Sequence, residues 1–359
     1  MSRIYKVAIV GLGIGRSHII EGYAPNADRF AVTALCDLDA ARMAAIGTEF
    51  GIARQTTDFD ELLHWDDIDI IDICTPPGLH AQMIFEALAA GKHVVCEKPL
   101  VGSLADVDRV MAAEQNAGGL LMPVFQYRFG DGVQQAKAII DAGIAGKPFI
   151  GTVETLWRRE SAYYAVPWRG KWKTELGGVL MGHAIHPHDI LTYLMGDIAR
   201  VFGRVATRVN PIEVEDCISA SLEMRSGALV SLTATLGAAE EHTRIRLAFE
   251  NVSFESDHAP YNPGAKLWKI EPRNAETAEK IAALLENWQH VPPRFTTQFA
   301  RFHDALEGKA PLPVTSMDSR RALELVTAFY HSSTTHEDVE LPIGPGHPRY
   351  DSWVPPGFA

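Results

Sequence analysis

Hydrophobic and polar positions follow two different rhythms along this chain, and the rhythm changes near Gly143. Before it, the short and nearly unbroken apolar runs YKVAIVG, FAVTALCD, IDIIDICT, KHVVCEKP and LLMPVFQYR are separated by segments with apolar residues at helical spacing. Unbroken runs suit strands covered on both faces, and strand–helix alternation is the pattern of a parallel sheet. The segments DAARMAAIGTEFG, HAQMIFEALAAG and SLADVDRVMAAEQNAG each close on glycine, as a helix does when its chain turns left-handed at the end. The pattern predicts a doubly wound α/β domain over residues 1–125.

After Gly143 the apolar runs lengthen and partly alternate, in KPFIGTVETLWRRE, IARVFGRVATRV, CISASLEMRSGALVSLTATLG and TRIRLAFENVSFESD. Alternation predicts strands with one face buried, hence a large, mostly antiparallel sheet with an open face, and Ser226–Gly227 predicts a hairpin turn inside it. Helices near Pro187–Met195, Thr296–Leu306 and Ser319–Ser333 are expected to cover the other face. This second α/β domain is predicted over residues 126–345, with an irregular tail over 346–359 in a proline-rich stretch that begins at Leu341.

Length agrees with two domains, because 359 residues exceed what one core organises. With 47% hydrophobic and 22% charged residues, both can be globular, and a net charge of -12 argues against binding a nucleic-acid backbone. Cys36, Cys74, Cys96 and Cys217 form no CxxC pair and read as thiols of a reducing compartment. The apolar stretch at the N-terminus is too short and too glycine-rich for a membrane span or a signal peptide, and no later run is long enough. A soluble cytoplasmic protein without a membrane partner is expected.

Several stretches carry candidate chemistry. In GLGIGRSH, Gly11, Gly13 and Gly15, with Ile14 and Arg16, follow the first strand and let a backbone turn approach a pyrophosphate. Asp37 ends the second strand and can accept ribose hydroxyls; with Leu38 rather than a base after it, NAD is expected over NADP. CTPPGLH supplies an extended loop of Thr75, Pro76 and Pro77 with His80 at a helix start, and EKP places Glu97 and Lys98 at the carboxyl end of a parallel strand. Taken alone, Lys98 reads equally as a catalytic cation or as half of a surface ion pair. Gln126, Tyr127 and Arg128 follow the last parallel strand. The segment WRRESAYYAVPWRGKWKTELGG joins aromatic and basic groups, among them Trp157, Trp168 and Arg169, in a composition suited to a carbohydrate pocket.

MGHAIHPHD sets His183, His186 and His188 within six positions, with Asp189 after them. The spacing is not that of a helical zinc motif, and Pro187 fits best in a first helical turn, so no metal is expected. His186 then lies near a helix N-terminus, whose partial positive charge favours a neutral, proton-accepting ring. His183 and His188 read equally as functional or as lining groups, and Asp189 as a substrate ligand or a helix-start acid.

In this order, VGLGIGRSH, CDLD, CTPPGLH, AGKHVVCEKPL, FQYRF, GGVLMGHAIHPHD and LPVTSMDSRRALELVTAFYHSS resemble the Gfo/Idh/MocA family of NAD(P)-dependent sugar and inositol oxidoreductases. The resemblance implies a Rossmann domain joined to an open-sheet α/β domain that assembles dimers or tetramers through the sheet. It implies hydride transfer between a carbinol carbon and nicotinamide, with Lys98 and His186 flanking that carbon; from their own chemistry, Tyr127, Arg128, Trp157, Trp168, Arg169, His183 and Asp189 are expected around the sugar. A glycoside-cleaving or isomerising enzyme that recycles bound NAD, and a sugar-sensing protein without turnover, use the same residues. Two departures stand out: the glycine loop is one residue short, and the position four before His186, an aspartate in many relatives, is Gly182.

Overall fold

The computed structural model describes residues 3–358, which divide into two compact units, residues up to 125 with 295–320, and 126–294 with 321 onward. The first begins with β1 (Tyr5–Val10), α1 (Leu12–Ser17), β2 (Phe30–Cys36), α2 (Ala40–Phe50), β3 (Arg54–Thr56), α3 (Phe59–Leu63), β4 (Ile70–Ile73), α4 (His80–Ala89), β5 (His93–Cys96), α5 (Leu104–Asn116) and β6 (Leu121–Pro123). Its six strands are all parallel, in the order β3-β2-β1-β4-β5-β6. The apolar runs of β1, β4 and β5 are buried, as a sheet covered on both faces requires. Asp39 and Ser103 cap α2 and α5 by accepting from Arg42 N and Asp106 N, and Gly51 closes α2 in the left-handed region. Contrary to the glycine pattern, α5 ends through Ala117 in extended backbone.

The second unit contains α6 (Asp131–Asp141), β7 (Pro148–Arg158), the single turns α7 (Ser161–Tyr164) and α8 (Trp172–Glu175), α9 (Ile185–Met195), β8 (Ile198–Ala206), β9 (Cys217–Met224), β10 (Leu229–Thr235), β11 (Gly237–Phe249), β12 (Val252–Glu255), β13 (Lys269–Pro272) and α10 (Ala275–Leu285). After α11 (Phe295–Leu306), α12 (Ser316–Thr335) runs into β14 (Val339–Glu340). The eight strands are ordered β13-β12-β11-β7-β10-β9-β8-β14, antiparallel except for β7 beside β10. The predicted hairpin joins β9 to β10, where Met224 N donates to Ala228 O at 2.8 Å and Gly227 has φ +85. α9 lies against β7 and β11, and Phe329 of α12 fills the space over Gly203 of β8.

One helix is placed differently from expectation. α11, predicted over Thr296–Leu306 to cover the second sheet, belongs with residues 295–320 to the first unit, so the stretch 126–345 is not one continuous domain. Phe295, Phe299 and Phe302 are buried there, and the Phe299 ring lies where a side chain at Gly22 would stand. Helical spacing shows that α11 has an apolar face; it does not say which sheet that face meets. The tail after Leu341 has no further helix or strand among its described residues, but Trp353 is fully buried and donates to Leu176 O at 2.6 Å. Among the described residues no helix is long and apolar enough to cross a membrane.

Candidate active site

In the first unit, the glycine turn between β1 and α1 assigns each glycine a different task. Gly11 has φ +88, and a side chain there would strike Cys74 O at 2.7 Å; one at Gly15 would strike Ile9 at the same distance. Gly13 faces open space, so the backbone can be approached. Gly15 thus provides the close packing of helix on strand that the common fingerprint assigns to a glycine one position later. The Arg16 side chain at that later position turns away and bonds Glu49, with Nε to Oε2 at 3.0 Å.

Asp37 closes over this turn: Oδ2 accepts from Leu12 N at 2.7 Å and Oδ1 from Asp39 N at 2.8 Å, and each oxygen retains a lone pair for a ribose hydroxyl. Leu38 is exposed. Arg42, which the sequence reading passed over, reaches Asp37 at 3.6 Å and Asp39 at 3.3 Å, so one cation serves two carboxylates and the corner stays negative. Turn, open glycine and carboxylate together fit a dinucleotide.

At the exit of β4, Pro76 is extended and Pro77 starts a short turn, while the Thr75 hydroxyl lies 3.5 Å from Met83 Sδ. His80 is buried with its ring nitrogens 2.9 and 2.8 Å from Pro99 O and Thr75 O, so it ties this loop to the one after β5. Lys98 is half-buried, and its N–H donates to Glu97 Oε2 at 3.0 Å. Behind Glu97 lies a buried polar chain that sequence reasoning missed. His18 Nε2 is 3.1 Å from Glu97 Oε1, His18 Nδ1 is 2.8 Å from Asp72 Oδ2, and Tyr23 OH donates to the same oxygen at 3.0 Å. Ligand atoms of His18, Asp72 and Cys74 lie within 4.8 Å of one another, a spacing that these hydrogen bonds and those of the Cys74 thiol account for.

In the second unit, Gln126, Tyr127 and Arg128 form a buried turn against α9. Tyr127 stacks on His186 with centroids 4.3 Å apart, and Arg128 grips Asp189 through two bonds of 2.6 and 2.5 Å. His186 and Asp189 are three residues apart and share a helix face, so the turn meets α9 at two adjacent points. Arg128 and Asp189, expected to touch substrate, are 3% and 1% exposed and bound to each other. They hold the platform on which Tyr127 and His186 stack. Gln126 Oε1 is buried without a hydrogen-bond partner among the described residues.

The approach to α9 is a wide π-type turn, Leu180–Ala184, anchored from below by Glu215. Its carboxylate accepts from Gly178 N and Leu180 N at 2.9 Å and from Tyr330 OH at 2.8 Å, and burial pushes it up to about 7. His183 Nε2 accepts from Arg159 Nε at 3.2 Å, and Arg159 also reaches Glu241 at 3.2 Å and Tyr261 OH at 3.0 Å. Trp157, Tyr163 and Tyr261 surround this guanidinium; Arg169 lies 3.7 Å above Tyr163 and 4.7 Å from the centre of the exposed Trp168 ring. Arg159, Glu241 and Tyr261 were not singled out by sequence, which places them up to 102 positions apart. Both ring nitrogens of the buried His188 lack hydrogen-bond partners among the described residues, and burial holds it down to about 3.

Comparison with known proteins gives two family models. Residues 5–125 match the Rossmann-fold NAD-binding domain of the GFO/IDH/MocA oxidoreductases, and residues 133–255 match a C-terminal domain of the same group. The chain is 31% identical over 235 residues to the Bacillus subtilis oxidoreductase YrbE, covering 64% of this chain and 66% of that one. It is 28% identical over 355 residues to inositol 2-dehydrogenase of Salmonella typhimurium, covering 95% and 98%. The crystal structure of the WlbA dehydrogenase from Bordetella pertussis with NADH and UDP-GlcNAcA superposes with TM-score 0.81 at 27% identity, over 95% of this chain and 100% of that one.

Proposed function

Because the chain belongs to the GFO/IDH/MocA family and is an NAD-binding oxidoreductase of the sugar and inositol dehydrogenase type, we propose that Lys98 and His186 form its reacting centre. The substrate is a carbinol carbon of a sugar, sugar derivative or inositol. The observation that carries this reading is the placement of Lys98 at the carboxyl end of β5, the edge at which the glycine turn after β1 also opens. Bound nicotinamide supplies the two-electron acceptor for the carbinol hydrogen. The His186 ring takes the alcohol proton, and the Lys98 ammonium steadies the negative charge that grows on oxygen. Tyr127 fixes the plane of the His186 ring by stacking.

Sugar hydroxyls and ring faces are received by Tyr163, Trp168 and Arg169 beside His183 and Arg159, while Trp157, buried with its indole N–H on Thr243 Oγ1 at 3.0 Å, backs them. A side chain at Gly182 would meet nothing within 4 Å, so the absence of an aspartate there is a chemical difference and not a steric one. The two carboxylates beside one arginine at the end of β2 repel a ribose 2′-phosphate, which supports NAD over NADP. We extend the reading to a cytoplasmic enzyme with reduced thiols, assembled through the sheet of its second unit.

The test is a turnover screen of inositols, aldoses, uronates and glycosides with NAD and with NADP, followed by the absorbance of reduced nicotinamide. Steady reduction of NAD by one class, at greater kcat/KM than with NADP, is expected. Cleavage or isomerisation without net reduction would replace this reading with internal recycling of NAD. Binding of NAD and sugar without any turnover would replace it with a sensor.

A further inference from the structure

The buried chain behind Lys98 has no part in the chemistry above, yet it joins three elements. His18 comes from the π-type turn that continues α1 over His18–Tyr23, Asp72 from β4, and Glu97 from the end of β5. His18 and Asp72 are fully buried and Glu97 nearly so. Both His18 nitrogens face carboxylate oxygens, which only accept when ionised, and only the imidazolium donates from both. One cation between two carboxylates leaves one negative charge, and the ammonium of Lys98 is the adjacent cation.

We propose that His18, clamped between Asp72 and Glu97, is a positioning residue for Lys98. It fixes the Glu97 carboxylate, whose other oxygen holds the Lys98 N–H, and so couples the glycine turn, three residues before His18, to the lysine at the end of β5. The inference rests on the reading of Lys98 as part of the reacting centre.

The groups facing His18 explain why the clamp stays charged. From its own turn comes Tyr23, which shares Asp72 Oδ2 with it; from β4 and its end come Asp72 and Cys74; from the end of β5 comes Glu97; and among the described residues α11 contributes the rings of Phe295 and Phe299, at 4.5 and 5.4 Å. Burial opposes a charge on His18, but the Asp72 carboxylate bonded to it outweighs that and the ring is raised well above its ordinary value. Glu97 is lowered although burial opposes its charge, because His18 bonds it and Lys98 lies beside it. Cys74 and Tyr23 are both pushed up, chiefly by burial, and remain protonated donors.

The experiment reads Lys98 directly. The full-length protein is acetylated with limiting acetic anhydride across a range of pH, and the fraction modified at Lys98 is measured by peptide mass. In His18→Phe, which keeps a ring against Phe295 and Phe299, Glu97 loses its cationic partner and the labelling midpoint of Lys98 moves up by about half a unit or more. His18→Gln, which keeps one N–H donor, moves it the same way by less and guards against loss of folding in the first variant. Glu97→Gln removes the negative charge and moves the midpoint down. With the best substrate, His18→Phe lowers kcat by roughly tenfold or more, while KM and the Kd for NAD change by less than about threefold. An unchanged Lys98 midpoint in both His18 variants overturns the proposal. If the unmodified protein turns over no sugar, the dehydrogenase reading falls, and the labelling midpoints still decide whether His18 sets the state of Lys98.

Discussion

Two histidines of this chain are buried almost equally, His18 at 0% and His188 at 1% exposure, and the two units treat them in opposite ways. In the first unit His18 lies between two carboxylates and is raised; in the second, His188 meets the edge of Phe329 at 5.8 Å, has no hydrogen-bond partner among the described residues, and is held down to about 3. Burial alone lowers a histidine, and charged partners reverse the sign. The difference teaches that crowding of histidines in sequence does not locate the charged one. His18 stands alone beside a glycine turn, whereas His188 belongs to a conspicuous cluster and serves as packing.

The largest effect is expected where a buried charge loses its partner. Asp189→Ala leaves the Arg128 guanidinium buried and should cost about 3–5 kcal/mol, measured as a drop in the denaturant midpoint. A loss below about 1 kcal/mol would show that interior charge pairs in this protein relax to water, and the contrast with His188 would lose its basis. Glu215 tests the same idea by pH. Its carboxyl moves from 4.5 in the unfolded chain to about 7 when folded, so between those values the folded state holds a proton that the unfolded state has lost. The contribution of Glu215 to stability should be fully present below pH 4.5 and fall by about 3 kcal/mol as pH rises to about 7. Glu215→Gln should flatten that part of a stability–pH curve, and an unchanged slope would assign it to other groups.

Within the histidine cluster itself, His186 and His188 should respond to substitution in opposite ways. His186→Ala should lower turnover by about a hundredfold or more, near 3 kcal/mol in barrier, with NAD affinity little changed. His188→Leu should change turnover by less than about twofold and shift stability by no more than about 1 kcal/mol in either direction, because it removes polar atoms that had no partners. Equal losses from both substitutions would mean that the cluster acts as one unit.

Local and periodic features were legible in the sequence. The parallel runs, the Ser226–Gly227 hairpin and the glycine turn all arise from neighbours along the chain, and the structure holds each of them. The roles of Arg128 and Asp189 were not legible, because their pairing spans 61 residues and each alone looks like a ligand-binding group. The link from Glu97 through His18 to Asp72 was missed for the same reason: the bonds span 54 and 79 residues, and a single aspartate in an apolar strand carries no sign of what it faces. α11 was recognised as a helix and given to the wrong sheet. Its three buried phenylalanines fit any apolar surface, and only the bare patch at Gly22 selects one.

The return of α11 to the first unit has a consequence during synthesis. The parallel sheet is fully translated once residue 125 has been added, but the phenylalanines that seal His18 and Tyr23 arrive only with the stretch 295–320. From residue 125 to residue 320 the ribosome adds 195 residues, which at 5–20 residues per second takes roughly 10–40 s. For that interval the nascent first unit exposes an apolar patch around His18 while strands β7 to β13 of the second sheet are being made. A chain stopped before Phe295 therefore leaves His18 and Tyr23 unsealed, and completion of the first unit waits on residues made after β13.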